Sequence, residues 1–321
     1  MPATEVVRAA ALLRAGELVA FPTETVYGLG ADASNPLAIG KIFAAKGRPA
    51  DHPLIVHLPD ASHLERWAVN IPESARKLAA AFWPGPLTLI LKRHPAVPDA
   101  VTGGQDTVGL RVPRHPLALE LLREFAGGIA APSANRFGRI SPTTAAHVRE
   151  ELGDAVSMIV DGGPCAVGIE STILDLSGAA PRILRPGMLT AAAIGGVLGT
   201  DPVVGGTADA PRVSGSLEAH YAPRTELKLV AATDLAATAR LAVAAGRRIA
   251  VLAAPPLALD RPDIAWSPAS ADPGQFAHDL YAKLRELDAM CRDLILVAAP
   301  PDEEVWQAVI DRLRRAAAGS K

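Results

Sequence analysis

Short apolar runs alternate with longer amphipathic stretches along most of this chain. Strands buried on both faces read as short continuous apolar runs, whereas the stretches between these runs have helical spacing. This alternation predicts a mixed, twisted α/β sheet with helices packed on it. The predicted strands of the first two-thirds of the chain are Glu17–Phe21, Leu54–Val56, Leu87–Leu91, Val108–Val112, Ile129–Ala131, Met158–Val160 and Thr172–Leu176.

One helix has clear start and stop signals. Asn35 is followed by Pro36, which is an N-cap residue with proline in the first helical turn. Gly47 is suited to end the same helix. Lys46 is therefore predicted at a helix end.

The length of the chain favours two domains, since 321 residues exceed the usual size of one hydrophobic core. Between residues 200 and 223 the composition shifts to Gly, Pro, Ser and Asp, as in functional loops and linkers. We predict a first domain over residues 1–199, a linker that forms a lid over the active site at 200–224, and a small Rossmann-like α/β domain over 225–321. The last domain has strands predicted at Leu227–Ala231, Arg248–Ala253 and Leu294–Ala298, and it lacks a Gly-x-Gly-x-x-Gly dinucleotide fingerprint.

Charge and cysteine content exclude several classes of protein. Thirty-two Lys and Arg against 34 Asp and Glu give a net charge of −2, so no global basic field attracts nucleic acid. Two distant cysteines form neither a disulfide framework nor a paired-thiolate zinc signature, so a reducing, cytoplasmic setting is expected. No apolar run is long enough to span a bilayer, and no membrane association is predicted.

Common catalytic motifs are missing, but two pairs of polar residues stand out. The chain has no Gly-x-x-x-x-Gly-Lys-Ser/Thr loop, no His-Glu-x-x-His and no Gly-x-Ser-x-Gly. Lys46 and Arg48 flank a glycine, where an extended backbone would direct both cations to one side and towards one polyanion. Ser133 and Asn135 have the same spacing after a strand. Taken singly, the cation pair is better explained as complementing the negative end of a helix. Ser133 and Asn135, taken singly, are better explained as part of an ordinary loop or cap.

Two further features leave alternatives open. Gly28 and Gly30 follow the first strand and suit a tight turn better than a phosphate site. Ser141 precedes Pro142 and two threonines at a predicted helix start, where it either lies beside an anion-binding N-terminus or simply caps the helix.

An ordered series of motifs resembles the YrdC-like family. The series covers roughly residues 5–195, and the sequence His220-Tyr-Ala-Pro223 with the added α/β domain resembles the long, two-domain members of that family. The resemblance implies a mixed sheet whose helices form a concave active-site cleft. The motifs are Pro22-Thr-Glu-Thr-Val-Tyr-Gly-Leu-Gly30, Lys46-Gly-Arg-Pro49, Pro53-Leu-Ile-Val-His57, Trp83-Pro-Gly-Pro-Leu-Thr88, Arg111-Val-Pro113, Pro132-Ser-Ala-Asn135, Glu170-Ser-Thr172 and Leu184-Arg-Pro-Gly187.

The resemblance implies a nucleotidyltransferase that makes threonylcarbamoyl-AMP and pyrophosphate from L-threonine, bicarbonate and ATP, for threonylcarbamoyladenosine in tRNA. Lys46 and Arg48 are the implied catalytic residues. The implied ATP-binding residues are Lys46, Arg48, Thr107, Ser133, Asn135, Ser141, Arg185 and Tyr221, and the implied threonine-binding residues are Thr23, His57, Arg111 and Ser171.

The resemblance also sets expectations for cofactor and partners. No dense acidic cluster is evident, so no metal ligands are assigned and Mg²⁺ is expected to arrive on ATP. Downstream tRNA threonylcarbamoyl-transfer enzymes are the expected partners, with weak or no direct tRNA binding. The alternatives are a double-stranded RNA-binding or regulatory module without catalysis, and a carbamoyl-transfer enzyme of the hydrogenase-maturation kind. The paired zinc-binding cysteines expected of the latter are missing from this sequence.

Overall fold

The computed structural model describes residues 3–207, 209–254 and 263–320, and the chain forms two compact units. The first unit comprises residues 1–137 and 141–216, and the second comprises 138–140 and 217–321. The boundary after Ser216 thus falls inside the predicted linker. Among the described residues, no helix combines the length and apolarity that a membrane crossing requires.

The first unit contains eight α-helices among its described residues, and the second contains three. Those of the first unit are α1 (Ala3–Arg14), α2 (Pro36–Lys46), α3 (Leu64–Trp67), α4 (Glu73–Phe82), α5 (Asp99–Thr102), α6 (Pro116–Phe125), α7 (Ala145–Leu152) and α8 (Ala191–Leu198). Those of the second are α9 (Leu235–Ala244), α10 (Pro273–Ala289) and α11 (Gln307–Gly319). Short 3₁₀ helices lie at Ala61–His63, Gly153–Ala155 and Glu304–Trp306.

The strands form one sheet in each unit. The first unit has β1 (Val19–Phe21), β2 (Gly28–Asp32), β3 (Ile55–His57), β4 (Leu87–Lys92), β5 (Thr107–Arg111), β6 (Ile129–Ala130), β7 (Met158–Ile159), β8 (Thr172–Asp175), β9 (Arg182–Arg185) and β10 (Val203–Val204). The second has β11 (Leu227–Val230), β12 (Ile249–Ala253), β13 (Ile264–Pro268) and β14 (Leu294–Ala298).

The predicted mixed sheet of the first unit is confirmed. Its strand order is β10-β9-β8-β4-β5-β3-β6-β2-β1-β7, with both parallel and antiparallel pairs. Each predicted strand of this unit lies on an observed one, with ends shifted by one or two residues. The predicted N-cap is also confirmed, since the Asn35 side chain accepts from the backbone N–H groups of Leu37 and Ala38.

The two faces of this sheet are covered differently. Alternate residues such as Val56, Leu89 and Leu110 point into a large apolar core formed with α2, α4 and α8. On the opposite face, α1 and α6 cover one end, and a small cluster that contains Ile90 and Val213 covers the other. Side chains alternate along a strand, so the polar residues between these two clusters share the second face. We call the region that contains His57, Arg111, Ser171 and Arg185 the polar face.

The structure corrects the interpretation of the two glycines after β1. Gly28 and Gly30 lie inside β2, which pairs with β1, instead of forming a turn or a phosphate loop. A Cβ atom at Gly30 would lie 2.8 Å from the Phe21 ring and 2.9 Å from Ile129. Close packing between strands and side chains therefore explains this glycine.

The second unit is a small Rossmann-like domain, as predicted. Its strands are all parallel, in the order β11-β14-β12-β13. The sequence analysis missed β13, an edge strand that ends at Pro268. Proline is tolerated there because an edge strand needs no hydrogen bond on its outer side.

The packing of Gly187 against β8 yields a stability prediction. A Cβ atom at Gly187 would lie 2.3 Å from the backbone N of Thr172 and 2.7 Å from the carbonyl carbon of Ser171. We expect Gly187→Ala to lower the free energy of unfolding by about 1–3 kcal/mol, since the strand must shift. The matched control is Gly178→Ala, where nothing lies within 4 Å of the added atom. Urea unfolding of both variants tests this, and equal midpoints would contradict it.

Candidate active site

The polar face brings together side chains from β3, β5 and β9 and from Ser171, which directly precedes β8. In the sheet register, His57 of β3 is opposite Arg111 of β5, and Ile173 of β8 is opposite Arg185 of β9. Ser171 precedes β8 and lies two residues before Ile173, so the two side chains are expected on the same face of the sheet. His57, Arg111, Ser171 and Arg185 are all buried. Polar and charged side chains at such depth need specific partners, and these partners define the site.

Arg111 is held by an ion pair that the sequence analysis did not assign. Its Nη2 lies 2.7 Å from Glu24 Oε1, Nη1 donates to Thr25 Oγ1 at 2.9 Å, and Nε donates to the carbonyl of Gly85 at 3.2 Å. Glu24 also accepts the backbone N–H of Arg114 at 2.9 Å. A guanidinium has five N–H donors, so the three contacts of Arg111 leave donors from which a ligand carboxylate can accept hydrogen bonds.

The charge state of Glu24 follows from opposing effects. Burial raises the pKa of Glu24, but Arg111 and the backbone N–H of Arg114 outweigh it and hold the pKa below 4.5. The pair therefore contributes stability above the ordinary carboxyl pKa, and this contribution is lost as the pH falls through the lowered value. The ion pair is thus intact at neutral pH.

Ser171 lies at the centre of a second network. Arg185 Nη2 donates to the carbonyl of Ser171 at 2.9 Å and to its hydroxyl at 3.0 Å. The Ser171 hydroxyl also shares a hydrogen bond of 2.8 Å with Thr88 Oγ1. The sequence analysis did not name Thr88 as a site residue, although it ends one of the quoted motifs. This network fixes the junction between β4, β8 and β9.

Thr23 and His57 lie near Arg111 in different settings. The Thr23 hydroxyl donates to the carbonyl of Val26 at 2.7 Å and accepts the backbone N–H groups of Thr25 and Val26 at 3.1 and 3.2 Å, so it closes a local turn. His57 Nδ1 has no hydrogen-bond partner among the described residues. Burial, and then Arg111, lower the pKa of His57 to about 3, so its ring is neutral at neutral pH.

Lys46 contacts two other residues that the sequence analysis assigned to ATP binding. Its Nζ donates to the backbone carbonyls of Ser133 at 2.5 Å and of Asn135 at 2.6 Å. Burial, and then Arg48, place the pKa of Lys46 well below its ordinary value. The expected extended backbone is wrong at this point, because Lys46 is the last residue of α2 and Gly47 is left-handed with φ 62°. A helix end and a left-handed glycine bring the two cations together instead.

Part of the predicted linker lies on the polar face. Ser214 accepts from Arg185 Nη1 through its carbonyl at 2.9 Å, and its hydroxyl is 3.5 Å from Arg48 Nη1. Arg48 also donates to the carbonyl of Pro53 at 2.9 Å. Val213 packs in the cluster with Ile90, close to β5 and its first residue, Thr107. The described residues from 209 to 216 are therefore a structured part of the first unit.

Ser141 is held by a carboxylate. Its hydroxyl donates to Glu170 Oε1 at 2.6 Å, and both side chains are buried. Thr144, not Ser141, caps α7 by accepting the backbone N–H of His147. Capping by Ser141, one of the two predicted alternatives, is therefore wrong, whereas the anion-binding helix N-terminus beside it stays a prediction. Because its proton goes to Glu170, the Ser141 oxygen is left to act as an acceptor.

Tyr221 belongs to the second unit. Its backbone is left-handed with φ 60°, and its ring lies 4.2 Å from the His220 ring and 5.8 Å from the Tyr281 ring. The Arg312 guanidinium lies over the same ring, 5.2 Å from its centroid. The structure therefore groups eleven of the twelve predicted site residues in the first unit and Tyr221 in the second.

Comparisons with known families agree with this architecture. Residues 11–187 match the Sua5, YciO and YrdC model, described as telomere recombination, and residues 188–318 match the model described as threonylcarbamoyl-AMP synthase, C-terminal domain.

Full-length relatives and a solved structure extend the match. The chain is 40% identical to the threonylcarbamoyl-AMP synthase of Pyrococcus abyssi, covering 96% of this chain and 92% of the relative. It is 43% identical to that of Bacillus subtilis, covering 98% and 93%. The crystal structure of P. abyssi Sua5 complexed with L-threonine superimposes with a TM-score of 0.91 at 37% identity, covering 100% of this chain and 96% of that one. The chain therefore belongs to the Sua5, YciO and YrdC family, in the long form that carries the threonylcarbamoyl-AMP synthase C-terminal domain.

Proposed function

We propose that this protein is a threonylcarbamoyl-AMP synthase, an adenylyl-transferring enzyme that acts on L-threonine, bicarbonate and ATP. The observation that carries the proposal is that the first unit holds four buried cations, Arg111, Arg185, Lys46 and Arg48, and that Arg185 and Arg48 both contact Ser214. The names of the full-length relatives support the same activity.

Arg111 is the residue suited to the amino-acid carboxylate. A planar guanidinium can bind both carboxylate oxygens, and Glu24 and Thr25 fix its orientation before any ligand arrives. Glu24 also places a negative charge beside this position, which favours a ligand that carries an ammonium group. The neutral His57, Thr23 and Ser171 are the remaining threonine-side candidates.

The reaction requires positioning more than a protein nucleophile. The threonine amine attacks the bicarbonate carbon, and loss of water leaves a carbamate. A carbamate oxygen then attacks the α-phosphorus of ATP, and the bond to the β-phosphate oxygen breaks to release pyrophosphate. Lys46, Arg48 and Arg185 would neutralise charge at the phosphates. Asn135, Ser133, Ser141 and Thr107 would contact the nucleotide, and Tyr221 of the second unit is a further candidate.

Mg²⁺ is proposed for this site as a companion of ATP. The described residues contain no group of three or more His, Cys, Asp or Glu side chains that could hold a metal ion. The two buried carboxylates within the motifs, Glu24 and Glu170, already contact Arg111 and Ser141 respectively. We therefore propose that Mg²⁺ is held by the nucleotide phosphates and water, where it supplies charge neutralisation.

The product suits transfer to tRNA by a separate enzyme. Threonylcarbamoyl-AMP is a mixed anhydride that can acylate an amino group, so the partners we propose are tRNA threonylcarbamoyl-transfer enzymes. The net charge of −2 supports weak or no direct tRNA binding.

The phosphate-side cations can be tested by pyrophosphate release from ATP, Mg²⁺ and bicarbonate, with and without threonine. We expect Lys46→Met and Arg48→Ala each to lower threonine-dependent release by about 100-fold or more, since they remove charge at the leaving group. Lys41→Ala is the matched control, because Lys41 lies on the same helix and makes an exposed ion pair with Glu17. Binding of RNA by a wild-type protein that releases no pyrophosphate would favour the non-catalytic alternative.

The carboxylate clamp can be tested by changing Arg111 alone. We expect Arg111→Lys to raise KM for threonine by about tenfold or more, with KM for ATP within about twofold, because an ammonium cannot make the bidentate contact. Arg114→Lys is the control, because the Arg114 side chain is exposed and only its backbone N–H contacts Glu24. Steady-state kinetics with each substrate varied in turn provide the measurement. A parallel rise in both KM values would argue against the assignment.

A further inference from the structure

The loop between Asn135 and Ser141 connects two predicted ATP-binding residues. Its first half is held within the first unit, where the backbone N–H of Phe137 donates to the carbonyl of Lys46 at 2.8 Å. Arg136 Nε donates to the carbonyl of Glu151 at 3.1 Å. Its far end is held by the hydrogen bond from Ser141 to Glu170.

The middle of this loop belongs to the other unit. Residues 138–140 group with residues 217–321, although the residues on both sides group with the first unit. The backbone N–H of Ala222 donates to the carbonyl of Gly138 at 2.9 Å, and Arg285 Nη2 donates to the carbonyl of Ile140 at 2.5 Å. The chain thus passes into the second unit for three residues and returns within the nucleotide-side motif.

Asp288, near the end of α10, is the charged anchor of this segment. Its Oδ2 lies 3.3 Å from Arg139 Nη2 and accepts the backbone N–H of Arg224 at 3.0 Å, while Oδ1 accepts that of Thr225 at 2.8 Å. The Asp288 side chain is 14% exposed. Burial raises the pKa of Asp288, but the two backbone donors and Arg139 outweigh it, so the carboxylate is charged at neutral pH.

We propose that Asp288 is a positioning residue for ATP, which acts through Arg139 to hold the loop between Asn135 and Ser141. This inference rests on the proposed function, and it gives the second unit a role in nucleotide affinity. Arg139 is four residues from Asn135 and two from Ser141. Loss of its ion pair with Asp288 would therefore free backbone torsions next to both of these proposed ATP-binding residues. ATP would then have to order the loop when it binds, and the conformational entropy lost in that step would weaken ATP binding.

The residues proposed to bind threonine do not depend on this loop, so they provide an internal comparison for the test. Arg111 is held by Glu24, Thr25 and Gly85, all in the first unit and outside this loop. Loss of the Asp288 anchor should therefore leave threonine binding unchanged. A general loss of folding would affect both substrates.

The test is Asp288→Asn in the full chain, with Asp293→Asn as the matched control. Asp293 is a nearby exposed carboxylate that accepts the backbone N–H of Arg248 and lies outside the anchor. We expect Asp288→Asn to raise KM for ATP about tenfold, the equivalent of one charge-assisted hydrogen bond, and to leave KM for threonine within about twofold. Calorimetric titration with a non-hydrolysable ATP analogue should show the same weakening without turnover.

A second variant separates positioning from folding. Arg139→Gln should weaken ATP binding to a similar extent, and the double variant should be no worse than Asp288→Asn alone, because both single changes remove the ion pair between Arg139 and Asp288. An unchanged KM for ATP, a parallel rise in both KM values, or additive effects would overturn the inference. If the wild-type protein binds the analogue but releases no pyrophosphate with threonine, the proposed function fails, and the titrations still decide the role of Asp288.

Discussion

The hydrogen bonds of the buried Lys46 side chain are the interactions on which the proposed nucleotide side of the site depends. A charge at this depth needs partners, and it binds the carbonyls of Ser133 and Asn135 while its own carbonyl accepts from Phe137. One residue at the end of α2 therefore fixes both ends of the Ser133–Phe137 segment. Carbonyl oxygens solvate the ammonium without cancelling its charge, and burial disfavours the charged form. An arriving phosphate would favour that form, so anion binding and protonation of Lys46 are linked.

The proposed threonine side also contains a buried cation, Arg111, but the charge of this cation is compensated in a different way. Arg111 is paired with a carboxylate, and the loss of hydration of both charges is offset by their attraction and by added hydrogen bonds from Thr25 and Arg114. Removing either partner would leave an uncompensated buried charge. The pair therefore fixes the orientation of Arg111 in advance, and a ligand carboxylate need not spend binding energy on ordering it.

Sequence patterns predicted the layers of the fold better than the local geometry of the site. Apolar runs identified β4 and β5, because buried strands must be apolar, but β13 has no such run and Gly30 suggested a turn where packing against Phe21 requires a glycine. The motif order predicted the site residues together with their chemistry. Their partners could not be predicted, because Glu24, Thr88 and Ser214 meet them only through strand pairing and chain folding. No local pattern marks such contacts.

The path of the chain argues against treating the second unit as an appended module. A module added after a complete domain would contact only its own linker, whereas here residues 138–140 leave the first unit in the middle of its nucleotide-side motif. A fragment that ends at Ser216 would keep Arg139 but lose Asp288, Arg285 and Ala222, which hold its loop. Such a fragment would retain every contact of Arg111 and Lys46. Its loop would still have to be ordered by the nucleotide, so the loss would fall on the proposed nucleotide side and not on the contacts of Arg111.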